Sequence, residues 1–111
     1  MNLLFVCDKN SWRSRTAENI FGRLLPHQAR SAGTNMGARA IVTNELLSWA
    51  DMVFVMEEKD QRALTEGFTA TMFGRRIIVL DIPDRYDFMD EELILMLKTT
   101  VAPYLEEPMG R

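Results

Sequence analysis

The sequence predicts an α/β fold in three layers, a four-stranded parallel sheet with helices on both faces, and three observations carry that expectation. Short apolar runs recur along the chain, separated by stretches whose apolar residues fall at helical spacing. The run Met52-Val53-Phe54-Val55-Met56 is apolar without alternation, as in a strand covered on both faces. Strands that alternate with helices join as parallel neighbours through right-handed crossovers.

Taken in order, residues 2–7 read as strand one and residues 14–25 as helix one, ended near Pro26. Residues 28–32 make a short second strand before a turn at Gly33, and a helix is expected from Arg39 to Trp49. Met52 to Met56 is strand three. Lys59 to Glu66 reads as a helix stopped by Gly67, and Ile77-Ile78-Val79-Leu80 is strand four. After Asp81-Ile82-Pro83-Asp84 the last helix runs from Asp90 to Leu105, with Leu93, Ile94, Leu97, Val101 and Leu105 on one stripe and Asp90-Glu91-Glu92 suited to its N-terminus. Ligands of such folds bind outside the carboxyl ends of the strands. The Cys7 turn, the Gly33 turn, the segment after Met56 and the Asp81–Tyr86 loop all fall at that edge.

With 111 residues and 47% hydrophobic content, residues 1–111 are expected to form one domain that buries a core without disulfide or metal. One cysteine excludes an intramolecular disulfide, and one histidine, His27, leaves no metal-ligand spacing, so neither metal nor cofactor is expected. The start Met-Asn-Leu-Leu-Phe-Val has no basic region and too short an apolar stretch for a signal peptide or membrane span, which predicts a reducing, cytoplasmic protein. The net charge of −3 is uneven: residues 1–40 hold Lys9, Arg13, Arg15, Arg23, Arg30 and Arg39 against Asp8 and Glu18. That bias favours a local anion site, while the acidic remainder argues against nucleic acid. No repeat or linker interrupts the chain.

The chemistry concentrates at Leu3-Leu4-Phe5-Val6-Cys7 and the following Asp8-Lys9-Asn10-Ser11-Trp12-Arg13-Ser14. Here the thiol sits on a strand-to-helix turn. Amides at a helix N-terminus point outward unpaired, the helix dipole adds positive potential, and successive turn amides form a nest for a phosphate-sized oxyanion. The same field favours a thiolate, and Arg13 can grip two oxygens of one phosphoryl group with its planar fork. Asn10 tolerates positive φ, and Ser14 brings a hydroxyl within reach of the sulfur. A cysteine closing an apolar strand is, against this, more often a small core hydrophobe.

The chain resembles the low-molecular-weight protein tyrosine phosphatases, whose signature is a first strand leading into Cys, five residues and Arg-Ser. Leu4–Ser14 resembles the phosphate-binding loop, with Thr16-Ala17-Glu18 continuing into the helix. Ser31-Ala32-Gly33-Thr34 resembles the second strand and turn, Ala50–Met56 the third strand, and Ile82-Pro83-Asp84-Arg85-Tyr86 the loop that ordinarily reads Pro-Asp-Pro-Tyr and supplies the general acid. The resemblance implies that Cys7 attacks phosphorus, that Arg13 and the amides of Asp8, Lys9, Asn10, Ser11 and Trp12 hold the phosphoryl oxygens, and that a covalent phosphocysteine forms. It implies Asp84 as general acid and then base, preferred over Asp81 because it follows Pro83 and precedes Tyr86. Ser14 would hydrogen-bond the thiolate and Asn10 shape the loop through its amide. Tyr86 is the expected aromatic wall for an aryl phosphate, and Trp12 is free to pack beneath the loop.

Several positions depart from the family. Lys9 and Trp12 stand where it usually has glycine and a second cysteine, and Arg85 replaces the proline after the acid. A lone Cys7 lacks the disulfide that protects it from over-oxidation. The segment from Thr34 to Glu45 is shorter than the family's, which should open the cleft. The leading expectation is a phosphomonoesterase acting on a phosphorylated protein or a small aryl phosphate, with inorganic phosphate as product and no nucleic-acid or membrane partner. The alternatives are an arsenate reductase that uses an external thiol, and a phosphate- or phosphopeptide-binding module with weak or no turnover.

Overall fold

The computed structural model describes residues 1–24 and 26–105. Strand β1 (Asn2–Cys7) pairs in parallel with β2 (Gln28–Gly33) on one side and β3 (Met52–Val55) on the other, and β4 (Ile77–Val79) extends the sheet beyond β3. The strand order is therefore β2-β1-β3-β4. After β2 the chain crosses over β1 to lay down β3, so the direction of winding reverses there. The crevice of such a sheet opens at the carboxyl ends of β1 and β3.

Alternation along β1 sends its side chains to two cores. Leu3, Phe5 and Cys7 join Phe21, Phe54, Ile78, Leu93, Leu97 and Val101, while Leu4 and Val6 join Val42, Leu47, Val53, Val55 and Leu64. The first face is covered by α1 (Arg13–Phe21) and α5 (Glu91–Leu105), the second by α2 (Asn44–Trp49), α3 (Glu58–Gly67) and the short α4 (Thr69–Met72). Burial on both faces explains why β1 and β3 carry almost nothing polar. On the first face Phe21, Phe5 and Phe54 stack with centroids 5.4 and 5.2 Å apart, and Tyr104 meets Phe54 edge-on at 5.7 Å.

The four strands and the last helix stand where the sequence places them, and the differences have local causes. Helix one was expected over 14–25, but α1 stops at Phe21, where Leu24 donates to the Phe21 carbonyl in a tighter turn; Leu25 lies outside the described residues. The helix expected from Arg39 begins only at Asn44, because Thr43 caps it through its hydroxyl, which accepts from the Leu46 amide. The preceding residues spend their backbone groups elsewhere. Thr34, Asn35 and Arg39 amides donate to the Cys7, Asp8 and Lys9 carbonyls at 3.0, 2.9 and 3.2 Å, and the Gly33 amide donates to Ala40. Helix α4 was not anticipated, its four residues being too few to show a period. His27 is structural, its Nδ1 lying 3.2 Å from the N-terminal amine.

Gly33 is the tightest point of this arrangement. A Cβ there would sit 2.6 Å from both the Asp8 carbonyl oxygen and the Ala38 Cβ, and 2.9 Å from the Asn10 nitrogen. Only hydrogen leaves room for the turn after β1 to lie against the end of β2. Gly33→Ala is expected to lower the unfolding free energy by about 1–3 kcal/mol, measured by urea denaturation, as overpacking against backbone does.

Candidate active site

The turn that β1 feeds into runs from Asp8 to Trp12 and ends in α1. Its carbonyls at Asp8 and Lys9 face the 34–40 segment, which occupies them, so the amides are turned the other way. Among the described residues no protein acceptor takes a hydrogen bond from the Asp8–Arg13 amides. With the start of α1 behind them they form a concave donor set of the kind that binds oxyanions. Asn10 makes the turn possible, holding φ at 55°, in the left-handed region that asparagine tolerates better than most residues. Lys9, where the family usually has glycine, does not have a positive φ. Its side chain therefore carries no backbone strain.

Asn10 is fully buried, and its Nδ2 donates to Ser14 Oγ at 2.9 Å. Ser14 Oγ is in turn 3.0 Å from Cys7 Sγ. Because the asparagine amide can only donate there, the serine proton is left to point at the sulfur. The Ser14 hydroxyl thereby donates toward Cys7 Sγ.

Arg13 is 2% exposed, and its guanidinium is held by two other loops. Nη1 donates to Glu57 Oε2 at 2.5 Å and to the Ile82 carbonyl at 2.7 Å, while Nε lies 3.7 Å from Asp84 Oδ1. Glu57 was missed by sequence reasoning; the signal available was its place directly after the β3 run, at the strand edge where ligands bind. It also caps α3, exchanging side-chain and backbone hydrogen bonds with Asp60. Asp60 is 1% exposed. Burial pushes its carboxyl above the ordinary 3.8, against the opposing pull of the Glu57 amide and the Arg13 charge.

These elements enclose a cavity of about 180 Å³ lined by Cys7, Asp8, Lys9, Ser11, Trp12, Arg13 and Asp84. The structure thus gathers most of the residues picked out from the sequence, with Asn10 and Ser14 beneath them. Asp84 is exposed on the cavity wall, whereas Asp81 lies along a separate groove with Glu57 and Pro83. Asp8 leans toward Lys59, 3.9 Å away.

Of the two aromatics, Trp12 stands at the cavity and Tyr86, expected as its wall, does not. Tyr86 is 5% exposed and packed in the core with Ile82, Leu93 and Leu97, its hydroxyl 3.3 Å from both Arg85 Nη2 and Glu92 Oε2. It anchors the Asp84 loop and does not line the cavity, because its ring belongs to the core cluster that includes Leu93 and Leu97 of α5. Trp12, for which the sequence left open a place on the wall or beneath the loop, is 44% exposed on the cavity rim. The same loop is pinned further by the Ile82 amide to Met56 O and the Met89 amide to Thr16 Oγ1, both 2.9 Å.

The model of the family described as low molecular weight phosphotyrosine protein phosphatase matches residues 2–44, which include the whole anion turn. No curated protein sequence matches the chain. Among solved structures, the tyrosine phosphatase Wzb from Escherichia coli K30 in complex with phosphate is similar, with a TM-score of 0.76 and 21% identity over 97% of this chain and 98% of that one. The low molecular weight protein tyrosine phosphatase SP-PTP from Streptococcus pyogenes gives 0.79 and 16% over 99% and 94%. YwlE arginine phosphatase from Geobacillus stearothermophilus gives 0.69 and 19% over 99% of both chains. The fold is thus that of the low-molecular-weight phosphatases across essentially the whole chain.

The raised Asp60 carboxyl makes a sign-definite statement about stability. The folded state holds the Asp60 proton to higher pH than the unfolded chain does, so its contribution is greatest below 3.8 and falls as pH rises to the folded value. The unfolding free energy of the protein minus that of Asp60→Asn should therefore decline with pH across that interval and then level off, in urea titrations at successive pH values.

Proposed function

We propose that the protein is a cysteine-dependent, metal-independent phosphatase of the low-molecular-weight type, acting on phosphotyrosine or aryl phosphates. One observation carries the reading: a single small cavity brings Cys7 Sγ, the Arg13 guanidinium and the Asp84 carboxyl together above a set of unpaired amides. The family match over the turn and the shared fold support it.

The chemistry follows from the placement. The Cys7 thiolate attacks phosphorus in line, forming the S–P bond as the P–O bond to the leaving group breaks, and Asp84 gives its proton to the departing oxygen. The amides and the Arg13 nitrogens not engaged by Glu57 hold the equatorial oxygens. Asp84, now a carboxylate, then takes a proton from water, whose oxygen attacks phosphorus; the S–P bond breaks, phosphate leaves and the thiolate returns. Ser14, supplied by Asn10, steadies the sulfur at both ends of the cycle. Glu57 acts through Arg13 as a positioning residue. No step calls for a metal or cofactor, and the setting is a reducing cytoplasm, where Cys7 stays reduced.

A second reading of the substrate is favoured by the cavity wall. Tyr86 is absent from it, and the carboxylates of Asp8 and Asp84 stand on it beside Trp12, a surface that suits a cationic leaving group such as the guanidinium of phosphoarginine. The ratio of kcat/KM for phosphoarginine to that for phosphotyrosine decides between them.

Turnover of a generic aryl phosphate should fall by about a thousandfold or more in Cys7→Ser, since a serine hydroxyl is a far weaker nucleophile than a thiolate at neutral pH; an active serine variant would overturn the assignment. Asp84→Asn should lose about 10²–10⁴-fold in kcat, with the alkaline limb of its pH profile flattened and the loss smallest for the best leaving groups. Glu57→Gln should lower kcat/KM roughly tenfold by freeing the Arg13 fork, while an intact far-ultraviolet spectrum shows that the fold persists. Thiol oxidation driven by arsenate, with no phosphatase turnover, would instead identify a reductase.

A further inference from the structure

A second groove, about 450 Å³, runs beside the catalytic cavity and is lined by Arg15, Glu18, Asn19, Gly22, Arg23, Ala29, Arg39 and Phe88. Three chain segments contribute to both hollows or tie them together. The turn and α1 give Arg13 to the cavity and Arg15 to the groove, and the loop after β4 gives Asp84 to the one and Phe88 to the other. Arg39 enters the groove from a segment whose amide holds the Lys9 carbonyl at 3.2 Å, and Lys9 lines the cavity.

The groove is basic in an acidic chain of net charge −3. Among the described residues, no carboxylate forms an ion pair with Arg15, Arg23 or Arg39. Glu18, the one acid on its wall, accepts a hydrogen bond from the Ser31 hydroxyl. The Arg15 guanidinium lies 5.0 Å from the centre of the Phe88 ring, which presets its plane. Guanidinium groups held in this way bind carboxylates through two parallel hydrogen bonds.

We propose that this groove receives the acidic residues flanking the phosphorylated side chain of a protein substrate. The inference rests on the phosphatase reading and adds its substrate class, an acidic phosphoprotein segment. From Arg15 to the end of α1 at Phe21 the groove follows the helix for roughly 9 Å at 1.5 Å per residue, and Arg23 extends it past the cap. That length takes about three extended peptide residues. A nucleic acid fits the groove less well, since its wall offers one aromatic ring and the chain beyond residue 40 is strongly acidic.

The test compares two phosphotyrosine peptides, one with glutamates at the five positions on either side of the phosphoresidue and one with glutamines, alongside a small aryl phosphate. The wild-type protein should turn over the glutamate peptide with kcat/KM about tenfold higher, chiefly through KM, and lose the preference near 0.5 M salt. Arg15→Gln/Arg23→Gln and Arg39→Gln should erase the preference and leave the aryl phosphate unchanged. Equal rates on the two peptides in the wild type, or a preference that survives in both variants, would overturn the proposal. An inactive wild type on the aryl phosphate sinks the phosphatase reading instead, and the groove is then judged by fluorescence polarisation of the labelled peptides on Cys7→Ser. Tighter binding of a single-stranded oligonucleotide than of the glutamate peptide there also refutes it.

Discussion

Arg13 is the constraint on which the site depends, because a guanidinium cannot give up its charge when it is buried. At 2% exposure it has to be answered by fixed partners, and they come from elsewhere in the chain: the Glu57 carboxylate after β3 and the Ile82 carbonyl after β4. One side chain from the turn after β1 thereby ties three strand ends together. Removing one member of such a buried pair costs about 3–5 kcal/mol when both are dry, and less here, since the Glu57 side chain is 33% exposed. The ion pair also cancels most of the arginine's net charge. In the proposed reaction Arg13 would therefore recognise an oxyanion by the direction of its remaining N–H groups more than by long-range attraction.

Attraction falls instead to the backbone. The carbonyls of Cys7, Asp8 and Lys9 are taken up by Thr34, Asn35 and Arg39, and a peptide unit that turns its carbonyl one way turns its amide the other. The loop after β2 thus sets the polarity of the anion site from behind. Gly33 allows this by bringing the two backbones within a distance that any Cβ would obstruct. The same engagement stops residues 39–42 from starting the helix expected from Arg39. A local preference worth tenths of a kcal/mol per residue yields to hydrogen bonds that the turn needs.

What was legible in the sequence followed periodicity and fixed spacing. The apolar strands, the long amphipathic α5 and the Cys7–Arg13–Ser14 set are written in consecutive residues, and so is Asn10, whose type announces a positive φ. Glu57 was not legible as a partner of Arg13, because 44 residues separate them and only the parallel pairing of β1 with β3 brings their loops together. The boundary at Thr43 depends on one hydroxyl and on tertiary demands upstream. Tyr86 was misplaced for a similar reason: an aromatic beside a turn says nothing about which way its ring faces until the neighbouring core is known.

That placement bears on the substrate. With Tyr86 inside the core, the Asp84 loop is anchored by its own aromatic residue and by the Arg85 and Glu92 contacts to its hydroxyl. The cavity keeps one aromatic, Trp12, and it belongs to the anion turn itself. A wall built into the turn shares its backbone with Cys7 and Arg13 and not with Asp84, so in the proposed reaction it would grip a leaving group from the side of the phosphorus. Under that reading Asp84 would meet a leaving group whose position the turn has already fixed. Discrimination between substrates consequently falls to whatever lies beyond Trp12 and Lys9, where the 34–43 segment and the arginines of α1 begin.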